Sequence, residues 1–72
     1  MSDGDDERLV TLVHDLRTPL TIVQGFADLM ARRGATLSDE QREEYVSRIA
    51  AAAGEMKAIL DDERTRRLSS AT

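Results

Sequence analysis

One residue in this chain could be a nucleophile with a ready-made helper. His14 is the only histidine, and there is no cysteine. Histidine is the side chain that can be neutral and nucleophilic near neutral pH. It stands in the run His14-Asp15-Leu16-Arg17-Thr18-Pro19-Leu20-Thr21. Asp15, beside it, can hold one imidazole nitrogen and leave the other free to attack. Thr18 lies four residues on, hence on the same side of a helix. Arg17 adds a cationic side chain to the run. A lone helical histidine is most often an ordinary surface residue, so the neighbours decide the reading. Pro19 weighs most. Inside a helix, proline costs about 3 kcal/mol, removes one hydrogen bond and crowds the carbonyl four residues back. Here that carbonyl belongs to Asp15. A bend at Pro19, beside an exposed histidine, is a costly feature for a surface with no task.

The elements that must position these residues are helices. Leu9, Val13, Leu16, Leu20, Val23, Ala27 and Met30 recur at alternating spacings of four and three, a heptad seam. Leu12, Ile22, Phe26 and Leu29 widen it into a bundle-type face. His14 falls about 100° around the helix from Val13, and so points to solvent. His14, Thr18, Thr21, Gly25, Asp28 and Arg32 then form one exposed stripe, with Gly25 leaving it flat at its middle. Arg32-Arg33-Gly34 has the form of a helix C-terminus. Ser38 and Gln41 form a capping-box pattern, followed by a second seam of Tyr45, Ile49, Ala52, Met56 and Ile59, with Val46, Ala53 and Leu60 beside it. The chain is expected to be all-α. Its parts are an acidic disordered N-terminus over 1–6, helix 1 over 7–33, a loop over 34–38, helix 2 over 39–66 and a loose tail over 67–72.

Size and charge exclude much else. Seventy-two residues with nine alanines and two aromatics, Phe26 and Tyr45, make a thin core for a lone monomer. Without cysteine there are no disulfides, and a single histidine argues against a structural zinc site. No metal ligand set is expected. A net charge of −4 and a pI near 4.8 argue against nucleic-acid binding. No apolar run reaches the roughly 20 residues that span a bilayer, and the acidic start is not a signal peptide. A cytoplasmic location fits. A hairpin of two helices, each with a wide apolar stripe, leaves half of each stripe in water. Two hairpins together bury both, which predicts a homodimeric four-helix bundle.

The octapeptide His-Asp-Leu-Arg-Thr-Pro-Leu-Thr resembles the H-box of sensor histidine kinases, usually His-Glu-Leu-Arg-Thr-Pro-Leu. The likeness extends through Ile22-Val-Gln-Gly-Phe-Ala-Asp-Leu-Met and the Leu-Ser-Asp-Glu-Gln-Arg start of the second helix, covering roughly residues 7 to 60. It implies a dimerisation and histidine-phosphotransfer domain. By this resemblance His14 is the phosphoacceptor, taking the γ-phosphate of ATP and passing it to an aspartate of a response regulator receiver domain. Asp15 replaces the usual Glu as acid/base or orienting group, one methylene shorter. Thr18 would serve a phosphatase activity towards the regulator, and Pro19 the helix bend. The regulator would dock on Thr21, Gln24, Gly25, Asp28 and Arg32. No phosphate-binding glycine loop is present: Gly4, Gly25, Gly34 and Gly54 are scattered. The resemblance therefore implies that ATP and Mg are bound by a separate catalytic domain, in cis or trans, and that these 72 residues alone do not autophosphorylate. The competing reading is a dimeric helical scaffold that keeps the H-box without its chemistry.

Overall fold

The computed structural model describes residues 3–70, with side chains from 6 to 68. Two helices make up the fold: α1, Asp3–Arg33, and α2, Asp39–Ser70. They lie side by side as an antiparallel hairpin about 52 Å long. Among the described residues there is no strand. Both helices run past their expected outer ends, since residues 3–6 and 67–70 are helical. Residues 1–2 and 71–72, where disorder was also expected, lie outside the described residues. At the start of α1, Asp6 and Glu7 favour the positive end of the helix dipole. At the far end of α2, a ladder of four-residue ion pairs replaces the fading apolar face: Lys57–Asp61 at 2.9 Å, Asp62–Arg66 at 3.1 Å and Glu63–Arg67 at 3.1 Å. Such pairs, spaced four residues apart, lend modest support to an exposed helix. The hydrogen bond from Lys57 to Asp61, and then the carboxylate's charge, raise the ammonium's pKa above its ordinary value. That support is complete at neutral pH and is lost only as pH rises through the raised value.

The turn between the helices is built by short-range bonds. Ser38 Oγ accepts from the Gln41 amide at 3.1 Å, and Gln41 Oε1 accepts from the Ser38 amide at 3.0 Å. This is the reciprocal capping box. The Arg33 carbonyl accepts from the amides of Thr36 and Leu37 and from the Thr36 hydroxyl. Arg42 reaches back from α2 and donates to the Gly34 carbonyl at 2.9 Å. Gly34 does not take the left-handed conformation of a helix cap, since no described glycine has positive φ. Its requirement is space: a Cβ there would stand 2.7 Å from the Met30 carbonyl oxygen.

The apolar face of α1 divides in two. Leu12, Leu16, Pro19, Val23, Phe26 and Met30 are turned away from solvent and meet α2. Facing them are Tyr45, Ile49, Ala52, Met56 and Ile59. Phe26 and Tyr45 set the register, with ring centroids 5.1 Å apart. One heptad further from the turn, Pro19 and Ala52 stand level and are both buried. The single heptad expected on α1 is thereby corrected. Leu16, Val23 and Met30 belong to the hairpin seam, whereas Leu9, Val13, Leu20 and Ala27 stay exposed. On α2, Val46, Ala53 and Leu60 are exposed too. By helix geometry these exposed residues lie on one flank of the hairpin, a second apolar seam with no partner among the described residues.

Candidate phosphoacceptor site

α1 carries His14 on the side away from that second seam. The His14 side chain is 83% exposed. Its Nδ1 lies 3.5 Å from Oδ1 of Asp15, itself half exposed. Nδ1 is thus the ring nitrogen nearer the carboxylate, and the ring as a whole is open to solvent. Adjacent residues on a helix normally diverge, so the pairing depends on both side chains leaning together.

The remaining residues of the run divide between two faces. Arg17 and Thr18 are exposed. Among the described residues no side-chain hydrogen bond engages the Thr18 hydroxyl, one turn from His14. Leu16 faces α2. Pro19 is fully buried, and the helix continues through it. It therefore sits against the partner helix rather than on the site face, and it acts on the site only through the backbone. The missing N–H leaves the Asp15 carbonyl without its helical donor. One turn further on, the Thr21 hydroxyl donates to the Arg17 carbonyl at 2.8 Å.

The stripe expected to follow His14 is present as a surface. Thr21, Gln24, Gly25, Asp28 and Arg32 are all exposed. A Cβ at Gly25 would meet nothing within 4 Å, so the glycine leaves a gap open to solvent. Beside it lies a shallow hollow of 310 Å³ lined by Thr21, Ile22, Gly25, Phe26 and Leu29. Ile22 and Leu29 enter the surface in this way although the sequence pattern assigns them to the packed face. Their spacing of seven, at the edge of the apolar stripe, is the signal that they flank it. Among the described residues, no cluster of His, Asp or Glu is arranged to hold a metal, and no helix is long and apolar enough to cross a membrane.

A family model described as the His Kinase A (phospho-acceptor) domain matches residues 7–68. This chain belongs to that family. Comparison with curated proteins and with solved structures finds no match. Membership places the hairpin among the phosphoacceptor and dimerisation domains of histidine kinases, the transferases of two-component signalling. Domains of this family typically dimerise and work with kinase and response-regulator partners. On α1 the two apolar seams and the exposed His14 stripe occupy different sides of the helix.

Proposed function

We propose that His14 is the phosphoacceptor of a sensor histidine kinase and that two copies of this hairpin form its four-helix bundle. The reading is carried by the placement of His14: an exposed imidazole with Nδ1 held towards Asp15 and Nε2 free, inside the matched domain. Nε2 attacks the γ-phosphorus of ATP held by a catalytic domain in cis or trans. The N–P bond forms as the bond to the bridging oxygen breaks, and ADP leaves. Asp15 holds or accepts the Nδ1 proton and stabilises the positive charge that develops on the ring. A receiver aspartate then attacks the phosphorus, the N–P bond breaks, and an acyl phosphate forms on the regulator. Arg17 offsets phosphate charge on the same face. Thr18, with its hydroxyl unengaged, orients water for hydrolysis of that acyl phosphate. The regulator docks on Thr21, Gln24, Gly25, Asp28 and Arg32.

The test supplies ATP and a purified histidine-kinase catalytic domain, then maps the label. An acid-labile label on His14, lost in His14→Gln, is expected. A label on Ser or Thr, or one that survives His14→Gln, overturns the mechanism. A small-molecule phosphoramidate donor separates an incompetent histidine from an unsuitable catalytic domain: no label from either source leaves only a scaffold. Exchanging Thr21, Gln24 and Asp28 together should change which regulator is phosphorylated while the dimer persists. Unchanged regulator choice would place docking elsewhere.

A further inference from the structure

Glu63 occupies a seam position. It follows Ile59 by four residues, continuing the inward series Tyr45, Ile49, Ala52, Met56 and Ile59. Its side chain is only 13% exposed, whereas the neighbouring acids Asp61 and Asp62 are about 60% exposed (61% and 63%). Its carboxylate meets Arg67 Nε at 3.1 Å on its own helix. Across the hairpin, the heptad register set by Phe26 and Tyr45 places Leu12 level with Ile59, and Arg8 level with Glu63. All four line one cleft of about 430 Å³ between the helices, together with Asp62 and Arg66. Asp15 lines the same cleft. Apolar packing of the hairpin thus ends at Leu12 and Ile59. Beyond them, ionised groups occupy the positions where apolar residues would close the gap.

We propose that this charged layer, centred on Glu63 and Arg8, is a conformational device that leaves the open end of the hairpin separable from its packed body. A charged side chain gains little by entering an interhelix gap, because desolvation offsets its Coulombic attraction. An apolar one at the same position gains by burial. The helices can therefore part above Leu12 and Ile59 without disturbing Pro19, Ala52, Phe26 or Tyr45. Because Asp15 lines the cleft, parting the open end changes the surroundings of the carboxylate that lies 3.5 Å from the His14 ring. The open end is a local unit of low stability.

Amide hydrogen exchange on the 72-residue chain tests this, comparing wild type with Glu63→Leu, Glu63→Gln and, independently, Arg8→Leu. Either leucine substitution should slow exchange at residues 8–12 and 59–66 by roughly tenfold, with residues 19–26 and 45–52 unchanged. Glu63→Gln, still polar, should not slow it. Unchanged or faster exchange at the open end in both leucine variants overturns the proposal. So does an equal slowing along the whole hairpin, which would make Glu63 a determinant of global stability only. The readout involves no phosphorylation, so it stands apart from the outcome of labelling His14.

Discussion

Asp15 Oδ1 lies 3.5 Å from His14 Nδ1, with both side chains in solvent on the same helix. The arrangement distinguishes the two ring nitrogens without burying either group. It predicts that chemistry and stability separate at this site. His14→Gln should abolish phosphorylation yet change unfolding free energy by less than about 0.5 kcal/mol, because it removes no packed contact. Denaturant melts beside the labelling assay check both parts.

Asp15→Ala should slow phosphoryl entry by about 100-fold, the lower range for a positioned acid–base group, while leaving His14 as the labelled residue. Asp15→Asn divides the two roles of the carboxylate. An amide oxygen can still accept from Nδ1–H but cannot take the proton. Recovery of most of the rate in Asp15→Asn indicates orientation, whereas a rate as low as that of Asp15→Ala indicates proton acceptance.

Thr18→Ala should spare phosphorylation of His14 and reduce dephosphorylation of the regulator. Following loss of label from a pre-phosphorylated receiver domain measures this directly. An unchanged rate of loss would show the hydroxyl to be idle.

The exposed seam of Leu9, Val13, Leu20 and Ala27 predicts a dimer. Sedimentation at micromolar concentration should give about twice the 8.0 kDa chain mass. Leu20→Asp, at a position 49% exposed in the single hairpin, should bring the mass back towards that of one chain. Leu16→Asp places a charge inside the hairpin itself and should remove helical structure as well, since an unpaired buried charge costs several kcal/mol. A cooperative wild-type monomer is the result that would rule the dimer out.

The capping box makes a stability prediction independent of function. Ser38→Ala removes the acceptor for the Gln41 amide and should cost about 1 kcal/mol, lowering Tm by about 4–8 °C in a domain of this size. Calorimetry reads it.

Much of this protein is legible in its sequence because helical features are local. The alternation of four and three, the capping box of Ser38 and Gln41, and the cationic end at Arg32-Arg33 depend on residues within one or two turns. So does the exposure of His14, which follows from its angle to the seam. The H-box pattern carried the family in the same way, through side chains that must share one face of one helix. The outer helix ends were less legible, since the ion-pair ladder from Lys57 to Arg67 extends a helix that the apolar pattern no longer marks.

Tertiary structure decided how the broad apolar face of α1 was shared out. Periodicity alone cannot tell Leu16 from Leu20, because both fit the same heptad. Only the approach of α2, in the register set by Phe26 and Tyr45, buries Leu16 and leaves Leu20 in water. The same approach turns Pro19 inward against the level of Ala52 and draws Glu63, one charge among many in the sequence, into a seam position. Which residues a helix can present together is a property of its own pitch. Which of them meet a neighbour depends on the rotation and register of a second helix, and that is fixed by contacts between residues distant in the chain.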